Sequence, residues 1–173
     1  MKFKPEKIYV VRKIKDNPVT QRILNHPSFA DIKPIYVDSA MKIQKEYQPT
    51  EYDKFSKEIC ENNRSGRDIL ALKPGPSTIV TPEANYGDLI AMDVYKKDGG
   101  QVWDVKLGAM CINRCHYCYL NSTMRTYPEV AVYVDVDAMK KGMQKAIRNA
   151  DGAPITFNAG EHTDSLSLDP ITK

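Results

Sequence analysis

The sequence contains no long hydrophobic run. No segment approaches the roughly 20 apolar residues that a membrane-spanning helix needs, and the opening residues, MKFKP, lack the apolar stretch of a signal peptide. Internal repeats, low-complexity tracts and long runs of like charge are also absent. We therefore expect a cytoplasmic protein without membrane contact. Its 173 residues suffice for one medium domain or two small ones with a real core.

An excess of charge of either sign is lacking as well. The chain has 25 Lys and Arg residues against 22 Asp and Glu residues, a formal net charge of +3. This mild basicity permits nucleic-acid binding but does not indicate it by itself. The pattern after Asp137 predicts a helix whose Lys and Arg residues share one face. We interpret that face as a solvated surface, with a DNA-binding surface as the alternative.

Cysteine is scarce, with four residues in the chain, but three of the four lie within eight positions. Cys111, Cys115 and Cys118 have the spacing C-x3-C-x2-C. Clustered cysteines without an export signal indicate a reducing compartment and a metal-binding role, not a disulfide framework. Thiolates grouped in this way hold a soft metal or an iron–sulfur cluster. Three thiolates on a four-iron cluster leave one iron open to a small molecule.

Two other interpretations of the motif stay open. A zinc site would need a fourth ligand, for which His116, His162 and Cys60 are the candidates. A cysteine-lined apolar helix face is the structural alternative, but the intervening Asn113 and Arg114 are poor core residues. Nothing around Cys60 repeats a metal-binding spacing, so we expect it to be a buried structural thiol.

The motif, with an aromatic residue just before its third cysteine, resembles the cluster loop of radical S-adenosylmethionine (SAM) enzymes. The longer string CHYCYL at residues 115–120, followed by Thr123 and Met124, resembles the spore photoproduct lyases among them. Further similar segments are FKPEKIYV (3–10), VYVDV (132–136) and FNA (157–159). The resemblance covers most of the chain, and the cysteine motif is its specific part.

The resemblance implies a set of cofactors and site residues. Cys111, Cys115 and Cys118 would hold a 4Fe–4S cluster, on which S-adenosylmethionine would be cleaved to give a 5′-deoxyadenosyl radical. Tyr117 would lie near the adenine, and Tyr117 and Tyr119 match tyrosines that transfer hydrogen atoms in the lyases; both could instead simply pack around the cluster. Gly160 and Glu161 resemble the element that binds the amino group of the cosubstrate, and a turn at a strand end is the alternative.

One departure from the lyases concerns the substrate. Glu161 stands where the lyases have a cysteine that donates a hydrogen atom to the product radical, and no cysteine follows Cys118. The resemblance implies damaged DNA with a thymine lesion as substrate and a flavodoxin or ferredoxin as electron donor. The missing cysteine favours, as the alternative, a relative that acts on another substrate.

The predicted fold class is α/β. We expect strands over residues 7–11, 32–37, 68–72, 101–107, 129–136 and 154–159, with helices over 18–24, 39–47 and 50–63 and from Asp137 onward. Residues 1–100 would form a small α/β layer, and residues 101–173 the start of a radical-SAM β/α barrel. The chain after Leu120 is too short to close such a barrel, which takes roughly 200 residues. We therefore expect that further strands, from a longer chain or a second polypeptide, complete it.

Overall fold

The computed structural model of the protein describes residues 3–47, 68–82, 100–113, 120, 129–160 and 163–172. The strands in these ranges are β1 (Lys7–Val11), β2 (Ile35–Val37), β3 (Ile69–Lys73), β4 (Val80–Pro82), β5 (Gln101–Val105), β6 (Gly108–Ala109), β7 (Val130–Tyr133) and β8 (Ile155–Asn158). The helices there are α1 (Pro18–Leu24), α2 (Ala40–Tyr47), α3 (Val136–Asn149) and the single turn α4 (Asp169–Thr172). None of these helices is both long and apolar enough to cross a membrane.

The described strands form two sheets. The first has the order β2-β1-β3-β7-β6, in which β6 is antiparallel to β7 and the other pairs are parallel. The second has the order β4-β5-β8, in which β5 and β8 are parallel and β4 is antiparallel to β5. The predicted α/β class is confirmed. The first sheet combines strands from both sides of residue 100, and the division of the chain into two parts there stays a prediction.

Local sequence signals account for the first strand and helix. The apolar residues of β1 are buried, as expected for a strand inside a parallel sheet. Asn17 caps α1, because its side chain accepts a hydrogen bond from the Val19 N–H, and Pro18 occupies the first helical position. Both elements were predicted with these bounds and are confirmed.

The first sheet is packed on both faces. One face forms the main core, which includes Leu70, Leu72, Val130 and Val132 together with Ile23 of α1. The opposite face carries a smaller group of buried residues, Tyr9, Ile43, Ile69 and Ala71, of which Ile43 belongs to α2. Burial on both faces explains why β1 and β3 have nearly continuous apolar sequences.

Helix α3 begins earlier than predicted. The capping residue is Asp135, whose side chain accepts a hydrogen bond from the Ala138 N–H at 3.0 Å, so the prediction of Asp137 as the cap was wrong. Both aspartates are good capping residues. Because β7 ends at Tyr133, the helix can begin directly after Asp135. Asp137 instead lies in the first turn, where a negative charge is favourable.

The faces of α3 agree with the sequence pattern except at one residue. Met139 and Ala146 are buried as predicted, but Ile147 is 51% exposed, so its prediction as a core residue was wrong. Ile147 directly follows the buried Ala146, and because neighbouring residues of a helix point in different directions, its side chain lies at the edge of the apolar stripe. The predicted solvated face is confirmed, with exposed Lys140, Lys141, Lys145 and Arg148.

Strand β6 was not predicted. It has only two residues, and Gly108 approaches β7 so closely that a Cβ atom there would collide with the carbonyl oxygen of Ala131. A two-residue strand has no periodicity to detect, and its pairing depends on the distant β7. The predicted helix over residues 50–63 lies outside the described residues.

Candidate functional site

The chain enters the cysteine motif through a tight change of direction. Strand β6 ends at Ala109, and Met110 then has a φ angle of 60°, in the left-handed region that non-glycine residues seldom adopt. Cys111 follows directly as a free thiol, 6% exposed. Its Sγ accepts a hydrogen bond from the backbone N–H of Asn113 at an N···S distance of 3.4 Å. The first cysteine of the motif is therefore buried and already has a hydrogen-bond donor on its sulfur.

Both ends of the motif are anchored in the main core. Met110 and Cys111 are buried there together with Leu120, the residue that follows the motif by two positions. Cys111 and Leu120, which lie on either side of the two remaining cysteines in the sequence, thus belong to the same core. Burial beside apolar residues is a suitable setting for a group that must be shielded from water.

The segment after β8 contacts the motif. The Asn113 side chain donates a hydrogen bond from Nδ2 to Oδ2 of Asp164 at 3.1 Å. Asp164 lies four residues after Gly160, whose N–H donates to the side-chain oxygen of Asn158 at the end of β8. The structure therefore brings Asp164, in the segment that follows β8, to the start of the cysteine motif.

A small cavity adjoins this contact. Its volume is about 170 Å³, and it lies between α1, α3, β7 and residues 163–172. Asp164 and the buried Thr163 both line it, and the Thr163 hydroxyl makes no hydrogen bond within the described ranges. The cavity therefore has mainly apolar walls, in which the Thr163 hydroxyl is available as a hydrogen-bonding group.

Of the predicted site residues, the structure describes Cys111 and Gly160. Cys115, Cys118, Tyr117, Tyr119 and Glu161 lie outside the described residues, as do the alternative ligands Cys60, His116 and His162. In the ranges that are described, no group of three or more His, Cys, Asp or Glu side chains is placed to hold a metal. The roles of these residues stay predictions.

Three residues of the site were missed from the sequence: Asn113, Thr163 and Asp164. From the sequence, Asn113 was interpreted only as a poor core residue, although its position inside the motif could have identified it as a site residue. Asp164 lies in the segment that follows β8, and ligands bind outside the carboxyl ends of the strands in open parallel sheets, so this segment was a candidate region. Thr163 has no sequence signal of its own.

The chain is similar to spore photoproduct lyases in sequence and in fold. Residues 95–173 match the family model of the spore photoproduct lyases. The spore photoproduct lyase of Geobacillus sp. (strain Y412MC61) is 32% identical over 68 residues, which are 39% of this chain and 20% of the relative. The enzyme of Bacillus subtilis (strain 168) is 31% identical over 62 residues, 36% of this chain and 18% of the relative. These matched segments thus amount to about a fifth of the relatives' length.

Solved structures extend the similarity to nearly the whole chain. A spore photoproduct lyase double mutant with bound AdoMet and dinucleoside spore photoproduct has a TM-score of 0.69 at 20% identity, covering 98% of this chain and 44% of that one. A lyase complexed with dinucleoside spore photoproduct has a TM-score of 0.69 at 19% identity, with the same coverage. At this identity the structures establish the fold. The predicted resemblance to the spore photoproduct lyases is confirmed by the family match over residues 95–173 and by a fold shared with the lyase structures along nearly the whole chain.

Proposed function

We propose that the chain is a radical SAM protein of the spore photoproduct lyase type, in which Cys111, Cys115 and Cys118 hold a 4Fe–4S cluster. The observation that carries this proposal is the buried Cys111 thiol, which begins the three-cysteine motif and whose sulfur accepts the Asn113 N–H. When bound, such a cluster supplies the electron that cleaves S-adenosylmethionine to methionine and a 5′-deoxyadenosyl radical. A flavodoxin or ferredoxin is the proposed source of this electron, and the proposed location is the cytoplasm.

The donor set fits an iron–sulfur cluster. Thiolates are the usual protein ligands of iron–sulfur clusters, and Cys111 carries its thiol at the edge of the main core, away from solvent. Backbone N–H groups directed at cysteine sulfur are among the features that set cluster properties. The protein's own contribution is therefore to position three sulfurs and to exclude water from them.

The proposed cosubstrate contacts lie after β8. We propose that the Glu161 carboxylate accepts hydrogen bonds from the amino group of S-adenosylmethionine and that Gly160 allows the backbone to pass close to it. Support comes from the Asn158–Gly160 hydrogen bond, just before Glu161 in the sequence, and from the Asn113–Asp164 hydrogen bond, which joins the segment after Glu161 to the cysteine motif. Tyr117, near the adenine, and Tyr119 are proposed to take part in hydrogen-atom transfer.

A variant of Glu161 tests this cosubstrate contact. Glu161→Gln keeps the size of the side chain but removes its charge, and we expect it to weaken S-adenosylmethionine binding by about 1.5–3 kcal/mol, the range for a hydrogen bond to a charged group. The measurement is calorimetry on the cluster-loaded protein. Asp137→Asn is the matched control, because it removes one carboxylate from the exposed surface of α3 and should leave the affinity unchanged. Equal affinities of Glu161→Gln and the unmodified protein would give Glu161 a structural role.

The proposed substrate is a thymine lesion in DNA, which would be extruded from the duplex before reaction. Support comes from the matched structures, in which spore photoproduct lyases bind dinucleoside spore photoproduct. The barrel that encloses the reaction would be completed by further strands, from a longer chain or a second polypeptide, since the chain spans 44% of those structures.

A second candidate is favoured by one residue. Glu161 replaces the cysteine that donates a hydrogen atom in the lyases, and a carboxylate cannot take over that role. The same radical chemistry on another substrate is therefore the alternative. Chromatography of a lesion-containing dinucleotide, with 5′-deoxyadenosine measured in parallel, distinguishes the two when the chain is assayed together with the strands that complete the barrel. Lesion reversal then supports the repair function, and 5′-deoxyadenosine without reversal supports the alternative.

Anaerobic reconstitution with iron and sulfide tests the central proposal. We expect a brown protein with about four iron atoms per chain that releases 5′-deoxyadenosine when given a reductant and S-adenosylmethionine. A colourless protein that takes up one zinc ion per chain would contradict the proposal and support the zinc-binding interpretation.

A further inference from the structure

Two hydrogen bonds of Asn113 connect the start of the cysteine motif with the segment after β8. Its backbone N–H donates to Cys111 Sγ at 3.4 Å, and its side-chain Nδ2 donates to Asp164 Oδ2 at 3.1 Å. One residue thus connects the sulfur of a cluster ligand with a carboxylate that is 51 positions away in the sequence.

Asp164 is held in place by its own turn. Its Oδ1 accepts a hydrogen bond from the Leu166 N–H at 3.0 Å, and its backbone carbonyl accepts one from the Ser167 hydroxyl at 2.8 Å. Leu168, at the end of this turn, is buried in the same core as Met110 and Cys111. The Asp164 carboxylate is therefore a fixed acceptor with respect to the start of the motif.

The position of the Asn113 N–H depends on the orientation of the peptide between residues 112 and 113. Rotation of this peptide would move the N–H away from the sulfur. The neighbouring Ile112 packs against the core but is only partly buried, so core packing alone does not fix the peptide. The hydrogen bond from the Asn113 side chain to Asp164 restrains this rotation. A side-chain contact at the surface thereby preserves a hydrogen bond at the sulfur.

Hydrogen bonds to the sulfurs are one of the factors that set the reduction potential of an iron–sulfur cluster. An N–H dipole that points at a cysteine sulfur stabilises negative charge there, and the reduced cluster carries one more negative charge than the oxidised cluster. Loss of the hydrogen bond therefore makes reduction less favourable.

We propose that Asn113 is a positioning residue for the cluster: its contact with Asp164 keeps its N–H on Cys111 Sγ and thereby raises the reduction potential. The inference rests on the proposed function, because it requires a cluster on Cys111. These residues act on electron transfer to the cluster.

A redox titration followed by electron paramagnetic resonance tests the inference on the reconstituted chain. Asn113→Ala keeps the backbone N–H but removes the anchor, and Asp164→Ala removes the acceptor. We expect each variant to lower the equilibrium constant for one-electron reduction about tenfold, a shift of about 59 mV toward negative potential. The double variant should show no larger shift than either single variant, because both remove the same contact.

Two further variants complete the experiment. Asp164→Asn keeps an oxygen for the Leu166 N–H and an amide NH2 that can donate to the side-chain oxygen of Asn113 once the Asn113 amide rotates. We expect it to restore most of the potential. Asn149→Ala, at the exposed end of α3, is the matched control and should have the potential of the unmodified chain.

Iron content is measured on every sample, so that an unmodified chain without iron contradicts the proposed function itself. Loaded variants whose potentials equal that of the unmodified chain, or a shift in only one of the two anchor variants, would overturn the inference about Asn113.

Discussion

Replacement of Cys111, Cys115 or Cys118 by Ala is expected to abolish cluster binding. Each substitution removes one of three thiolate ligands, and a four-iron cluster held by two protein ligands would be lost during reconstitution or desalting. Iron and sulfide per chain should fall from about four to near zero, together with the visible absorption. Cys60→Ala is the control within the same chain, because we expect this thiol to be structural, and it should retain the full iron content.

The experiment must distinguish the loss of a cluster ligand from the loss of the fold. Cys111 is 6% exposed and belongs to the main core, so its replacement by Ala also removes packing. Cys111→Ser has nearly the original size and should lose iron as completely as Cys111→Ala does, while circular dichroism of the metal-free protein shows that the fold is kept. Full iron content in any of the three Ala variants would mean that the motif is not the ligand set.

Replacement of Glu129 by Ala is expected to destabilise the protein by about 3–5 kcal/mol, the usual cost of removing one partner from a buried ion pair. Lys73 Nζ donates to Glu129 Oε1, and the two side chains are 7% and 0% exposed. The pair connects Lys73, at the end of β3, with Glu129, the residue before β7, and β3 and β7 are neighbours in the first sheet. Removal of the carboxylate leaves the Lys73 ammonium group buried without its counterion.

Urea unfolding followed by circular dichroism measures this effect, and two variants separate charge from packing. Glu129→Gln keeps the shape and one acceptor but removes the charge, and it should also be strongly destabilising. The double variant Lys73→Met and Glu129→Leu replaces the pair by apolar side chains and should recover much of the loss, since Glu129 Oε2 has no partner in the described part of the chain. A loss below about 1 kcal/mol in Glu129→Ala, typical of an exposed pair, would contradict this assignment.

The sequence alone was sufficient wherever a signal is contained in a few neighbouring residues. The apolar run of β1 and the Asn17-Pro18 start of α1 led to elements with the observed bounds, because strand burial and helix capping are local. The cysteine spacing led to the family resemblance for the same reason, since the ligands of a cluster loop lie close together in the chain. The cap of α3 was misplaced by two residues because two aspartates offer the same local signal, and only the end of β7 decides between them.

The tertiary structure decided the contacts between distant residues. Asn113 meets Asp164 across 51 positions and Lys73 meets Glu129 across 56, and no periodic pattern in the sequence joins either pair. The pairing of β7 with β3 and the formation of the two-residue strand β6 were also decided by the tertiary structure, because both depend on which strands become neighbours in the sheet. Residue types and short spacings thus determine which chemistry the motif can support. The order of the strands determines which side chains surround it, because side chains far apart in the chain meet only when the sheet forms.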